Sequence, residues 1–222
     1  MVASARWRVV VPVKGGDGAK SRLGLPVAQR RALATAMALD CLAAALAAPP
    51  VALVVCVTDD PDVAAAARGA GAAVVAAGGP GLHRAVEAGL AAVGAGPTAV
   101  LVADLPALRP GDLAAALTGA AAHPGPVLVT DAEGTGSVLV ADRAGHPPHR
   151  FGPGSARAHA EAGAVPLPGA LPTLRRDVDV PADLAAARAL GVGPRTRAAL
   201  DAAAPTTAPT TTSAPTSAPA CR

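Results

Sequence analysis

Thr98-Ala-Val-Leu-Val-Ala-Asp104-Leu-Pro-Ala-Leu108 is a short apolar, β-rich run that ends in a carboxylate, with the helix-excluding Pro106 just beyond it. The pattern predicts a buried strand that delivers an acid to the edge of a sheet. In open α/β sheets ligands bind in the crevice beyond the carboxyl ends of the strands, so Asp104 is a candidate ligand for a metal that escorts phosphate. A second reading, in which Asp104 caps the following turn, stays open on this stretch alone.

Working outward, the chain repeats the same rhythm. Residues 8–13 are a run rich in β-branched side chains, as expected of a strand buried on both faces. Residues 51–58 form a second run, closed by Asp59, Asp60 and Asp62, which read as turn and cap chemistry for a short helix. Residues 72–76 are a third short strand, and residues 83–93 carry apolar side chains at helical spacing. After Asp104, Arg109-Pro-Gly-Asp-Leu113 opens another helix with Asp112 as its candidate cap. Strand alternating with helix predicts a mainly parallel sheet flanked by helices on both faces.

Between the first strand and the long helix beginning near Val27 lies Lys14-Gly-Gly-Asp-Gly-Ala-Lys20-Ser-Arg22-Leu23, a glycine-rich, cationic loop where an anion would sit. The phosphate-loop pattern G-x-x-x-x-G-K-[ST] fails here, because Lys14 and Ala19 stand where glycine is required. The dinucleotide pattern G-x-G-x-x-G fails at Ser21, which disfavours a dehydrogenase. Lys14 and Lys20 are the only lysines in the chain, every other strong base being arginine. A compact, mobile ammonium suits phosphate, and solvated loop lysines are the alternative.

From Val127 the rhythm changes. Residues 127–130 and 138–141 read as two short strands joined by Asp131-Ala-Glu-Gly-Thr-Gly-Ser137, a small-residue loop, in a hairpin-like arrangement. His149-Arg-Phe-Gly152-Pro-Gly-Ser155 precedes a helix, with Ser155 its expected N-cap and residues 152–155 a nest suited to phosphate or carboxylate. His159 on that helix reads as a surface histidine, and His83 and Glu87, one turn apart, as a solvated pair or as neighbours of a ligand. Residues 175–180 read as a strand running into a helix at Pro181, which places Asp177 and Asp179 on one face or in a helix-start acid cluster.

A chain of 222 residues is long enough for one domain burying about 70–75% of its unfolded surface. Residues 1–204 read as that domain, and residues 205–222, rich in Thr, Pro, Ala and Ser, as a disordered tail. With one Phe, one Trp and no Tyr, the core is aliphatic and a bound base has few rings to stack on. The net charge of +3 is scattered, which argues against nucleic acid. Three distant cysteines lack metal-ligand spacing and fit buried thiols in a reducing cytoplasm. The apolar run before Lys14 is too short for a signal-peptide core, and the alanine-rich residues 32–48 read as a core helix rather than a membrane span.

Taken in order, Val9-Val-Val-Pro-Val-Lys14 with Ala19-Lys-Ser-Arg-Leu23, Ala103-Asp-Leu-Pro-Ala-Leu108, Gly134-Thr-Gly-Ser137, Arg150-Phe-Gly-Pro-Gly-Ser155 and Asp177-Val-Asp-Val-Pro-Ala-Asp-Leu184 resemble the phosphoenolpyruvate or 2-phospho-L-lactate guanylyltransferases of coenzyme F420 biosynthesis. The resemblance implies a Rossmann-like nucleotidyltransferase fold and the transfer of GMP from GTP to phosphoenolpyruvate or 2-phospho-L-lactate with release of pyrophosphate. It implies Mg²⁺ on Asp104 and Asp177, which with Lys20 form the catalytic set. It also implies nucleotide contacts from Lys14, Lys20, Arg22 and His83, and acceptor contacts from Ser137, Gly152 and Ser155. Ser137 stands where threonine is common and His83 where asparagine is expected. A sugar-phosphate or molybdenum-cofactor nucleotidyltransferase and a non-catalytic GTP-binding relative are the competing readings. Acceptor preference and pairing into a homodimer are left open.

Overall fold

The computed structural model describes residues 6–14 and 20–203. The expected tail, residues 205–222, and the glycines 15, 16 and 18 of the lysine-bearing loop lie outside the described residues. Seven strands form one sheet: β1 (Trp7–Pro12), β2 (Val51–Val57), β3 (Ala73–Val75), β4 (Thr98–Leu101), β5 (Val127–Thr130), β6 (Ser137–Asp142) and β7 (Val165–Pro166). Their order is β3-β2-β1-β4-β6-β5-β7. β1 lies parallel to both β2 and β4, and β2 parallel to β3. β6 runs antiparallel to its two neighbours β4 and β5. The sheet is thus mixed and mostly parallel, and the hairpin expected after Val127 is present.

The helices are α1 (Val27–Ala47), α2 (Pro61–Gly69), α3 (Leu82–Val93), α4 (Pro110–Ala122), α5 (Ser155–Glu161), α6 (Pro172–Arg175), α7 (Pro181–Leu190) and α8 (Pro194–Ala203). Both faces of the sheet are covered because successive strand side chains point to opposite sides. Val9 and Val11 of β1 join the main core with Leu42 and Ala45 of α1 and Leu113 and Leu117 of α4. Val10 turns the other way and packs with Val86 and Val93 of α3. The run of β-branched residues in β1 is therefore apolar throughout for two different cores.

The alanines of α1 let it lie close to the sheet, and its one buried acid has a specific task. Asp40, 6% exposed, accepts hydrogen bonds from the N–H groups of Arg195 (3.2 Å) and Thr196 (2.8 Å) at the start of α8. It caps a helix from 155 residues away in sequence. Among the described residues no helix is long and apolar enough to cross a membrane. Cys41 and Cys56 are buried free thiols, as their apolar surroundings suggest.

Three local expectations are corrected. Asp112 does not cap α4: its carboxylate instead accepts from the N–H (2.9 Å) and hydroxyl (2.7 Å) of Thr173, tying α4 to α6. Residues 176–180 are not a strand. Val178 donates its N–H to the carbonyl of Asp104 at 3.1 Å, a single bond rather than a ladder. Ser155 is the first residue of α5, Gly154 preceding it in the left-handed conformation at φ 70°, which glycine adopts without steric cost.

At Gly89 of α3 the helix packs directly on the sheet, and an added Cβ would collide with Val10 Cγ1 and lie 2.8 Å from Val57 Cγ2. Gly89→Ala is expected to destabilise the protein by about 1–2 kcal/mol, overpacking outweighing the helix-propensity gain. Urea denaturation of the two proteins checks this.

Candidate active site

β1, β4 and β5 end at one rim of the sheet, and β6, running the opposite way, begins there. The register pairs Leu101 with Leu139 and Thr130 with Ser137, so Asp104, Asp131 and Ser137 arrive together at the strand ends. From the adjacent strands β1 and β4 the strand order runs outward in opposite directions. Such a switch point is where open α/β sheets bind ligands.

Lys20 is the only non-glycine at positive φ among the described residues (φ 53°, ψ 37°), a conformation that costs about 1–2 kcal/mol. Its ammonium lies 2.5 Å from Asp104 Oδ2 and 3.0 Å from Asp179 Oδ1. Two apolar anchors bring these segments together: Leu23, at the end of the short 3-10 turn Ser21–Leu23, shares a buried cluster with Val178. Burial alone would lower the pKa of Lys20, but the carboxylates of Asp104 and Asp179 outweigh it and the pKa is raised. The side chain, 12% exposed, is therefore a fixed positive charge. Lys14, two residues past the end of β1, and Arg22, two residues beyond Lys20, are exposed.

Val178 is fully buried, and its bond to the Asp104 carbonyl sets Asp177 and Asp179 on either side of that contact. Asp179 meets Lys20, whereas Asp177 meets Asp131 and Glu133, with one carboxylate oxygen from each of these three within 4.8 Å of the others. Burial first, then the charges of Asp104, Asp131 and Asp179, pushes Asp177 from an ordinary 3.8 up to about 7. Asp131 is held by the N–H groups of Thr135 (2.8 Å) and Gly136 (2.6 Å). Glu133 pairs with Arg176 at 2.7 Å. Asp104 Oδ1 is buried and makes no hydrogen bond among the described residues. This acid-rich group could hold a divalent metal. Sequence reasoning missed Asp131, although an acid directly after β5 repeats the signal of Asp104 after β4.

Beside the acids stands a hydroxyl pair. Ser155 Oγ accepts from the Ser137 N–H at 2.8 Å, and His159 Nδ1 lies 2.9 Å from Ser137 Oγ. His159 is not a surface histidine: it is fully buried and stacked edge-on against Phe151. The Arg150 N–H points at its Nε2 at 2.7 Å, so Nε2 must accept. A neutral ring then carries its proton on Nδ1 and donates to Ser137, leaving the Ser137 hydroxyl proton for another acceptor. Burial, opposed by the Ser155 carbonyl and reinforced by His149, Arg150 and His83, lowers the His159 pKa to about 4. Since the unfolded chain takes up that proton near pH 6.5, the stabilisation is present above 6.5 and lost as pH falls toward 4. Wild type is expected to lose about 2–3 kcal/mol more than His159→Gln between pH 7 and pH 4.5, by urea denaturation.

His83 lies in the first turn of α3, its ring 5.6 Å from that of His149 in an edge-on contact. Both border a cavity of about 640 Å³ with Glu87 and Arg150. Asp59 holds the loop after β3 through the N–H groups of Ala77 (2.8 Å) and Gly79 (3.1 Å), and Asp60 caps α2. Both acids are structural, as their turn chemistry suggests.

Residues 16–174 match the MobA-like NTP transferase domain. The chain is 53% identical over 207 residues to a phosphoenolpyruvate guanylyltransferase of Salinispora arenicola, covering 90% of this chain and 96% of that protein. It is 48% identical over 213 residues to the enzyme of the same name from Geodermatophilus obscurus, covering 92% and 98%. In fold it resembles a Desulfovibrio desulfuricans protein assigned to the nucleotide-diphospho-sugar transferases, with TM-score 0.66 at 16% identity over 89% of this chain and 95% of that one. It also resembles a nucleotidyl transferase from Methanothermobacter thermautotroptrophicus, with TM-score 0.58 at 19% identity over 83% and 97%.

Proposed function

The chain belongs to the MobA-like NTP transferases and, within them, to the phosphoenolpyruvate guanylyltransferases, and from that premise we propose that it joins GMP from GTP to phosphoenolpyruvate for coenzyme F420 biosynthesis. It is a nucleotidyltransferase. The observation that carries the reading is the clustering of Lys20, Asp104, Asp131, Asp177 and Asp179 at the strand ends, beside the Ser137–Ser155 hydroxyl pair.

In the reaction an ionised phosphate oxygen of the acceptor attacks the α-phosphorus of GTP in line. The new P–O bond forms as the bond to the bridging oxygen breaks, and pyrophosphate leaves. The acceptor phosphate carries its own charge at neutral pH, so no general base or covalent nucleophile is needed. The requirement is placement and charge compensation.

The acids suit a divalent cation such as Mg²⁺: Asp104 Oδ1 is buried and unsatisfied among the described residues, and Asp177 is pushed up to about 7 by burial first and then by neighbouring carboxylates. Asp104 and Asp177 would hold it, with Asp131 at hand, and bound there it would compensate charge at the transferring phosphoryl group. Lys20 supplies a fixed positive charge, and Lys14 and Arg22 supply exposed ones for the triphosphate. Ser137, its proton freed by His159, donates to the acceptor. The Ser155 hydroxyl and the Gly152 backbone complete that side. The buried thiols suit a reducing cytoplasm.

Pyrophosphate release over the four nucleoside triphosphates, each with phosphoenolpyruvate, 2-phospho-L-lactate, 3-phosphoglycerate or a sugar phosphate, tests this. Release is expected with GTP and phosphoenolpyruvate, or its lactyl analogue. Release with a sugar phosphate, or with no dependence on acceptor, would overturn it.

A further inference from the structure

Three of the five histidines, His83, His146 and His149, border the 640 Å³ cavity between α3 and the connection from β6 to α5. We propose that His83, Glu87 and His149 form a binding site for a transition-metal dication of the zinc class, separate from the acids at the strand ends. His83 and Glu87 are four residues apart on α3, the spacing that sets two side chains on one helix face. His149 approaches that face from the opposite wall, its Nε2 3.7 Å from Glu87 Oε1. One donor atom from each of the three lies within 4.8 Å of the others.

Ligand atoms on a tetrahedral zinc lie about 3.3–3.5 Å apart. The exposed ends of His83 and Glu87 would have to move by about an ångström to close the difference. Two imidazoles and one carboxylate select zinc, cobalt or nickel over magnesium, which prefers an all-oxygen shell. The strand-end acids offer only oxygen, so the two sites differ in kind. Three protein ligands leave a fourth position for water or a small ligand from the cavity, where His146 also stands.

Occupancy would join α3 to the connection that carries Arg150, whose N–H fixes His159. The metal would thus restrain the acceptor side from a distance, and His83 would serve the metal rather than the nucleotide.

The test is titration with Co²⁺ of nucleotide-free protein saturated with Mg²⁺, read by visible absorption, with Zn²⁺ calorimetry alongside. One equivalent is expected, with Kd raised at least tenfold in both Glu87→Gln and His149→Ala and changed less than twofold in Asp177→Asn. Zn²⁺ should raise the melting temperature of wild type and leave that of Glu87→Gln unmoved. Equal affinity in wild type and both variants, or loss in Asp177→Asn instead, would overturn the assignment.

Discussion

Asp104→Asn is expected to lower turnover by about 10²-fold or more while the protein still melts cooperatively, by analogy with the removal of one preorganised charged group from other active sites. Asp104 carries three separate functions. Its Oδ2 pairs with Lys20 at 2.5 Å, its Oδ1 is buried without a hydrogen bond among the described residues, and its carbonyl receives the N–H of Val178. The amide keeps the backbone contact and the shape but removes the charge, so folding and chemistry separate. Among the described residues Lys20 then retains the charge of Asp179, 56% exposed and screened by solvent. Asp177 loses one of the charges that raise its pKa, so its titration should move down in the same variant. Initial rates of pyrophosphate release and a thermal melt check the first claim, and NMR titration of the carboxyl groups the second. Near-normal turnover would remove Asp104 from the catalytic set.

Asp177→Asn is expected to reduce turnover by a similar factor and, in the metal-free protein at pH 8, to increase stability by about 1–2 kcal/mol after discounting for partial exposure. The opposing signs follow from one cause. With a folded pKa of about 7 against an ordinary 3.8, the carboxyl favours the fold while protonated. Its contribution is complete below about pH 4 and disappears as pH rises through 7. The wild-type deficit relative to the variant should therefore open between pH 4 and 7. Millimolar Mg²⁺ should close it for wild type while leaving the variant unmoved. Melting curves of both proteins across pH 4–8, with and without Mg²⁺, show this. Equal stability at pH 8 would mean that Asp177 is not a strained charge.

These expectations rest on side chains that differ in how plainly the sequence reveals them. Asp104 and Lys20 are legible because each interrupts a strong local pattern: an apolar run ending in an acid, and a glycine-rich loop that holds the only lysines. Asp131 ends an equally apolar run, but the glycines that follow read as a turn and hide the acid. Asp112 was legible as a helix-start residue, yet its partner proved to be Thr173, 61 residues away. His159 sits on a seven-residue helix whose sequence looks solvent-exposed. Its burial comes from Phe151 and the Arg150 N–H on a connection that turns back over it.

The chain on its own determined that this is a layered α/β protein, because strand and helix are written in the spacing of neighbouring apolar side chains. It also determined which positions carry acids and ammonium groups. Only the tertiary structure decided how those charges group: Lys20 with Asp104 and Asp179, 84 and 159 residues away, and Asp177 with Asp131 and Glu133. Electrostatic energy depends on distance through space and on exclusion of water, and both are set by packing between segments that no local pattern relates.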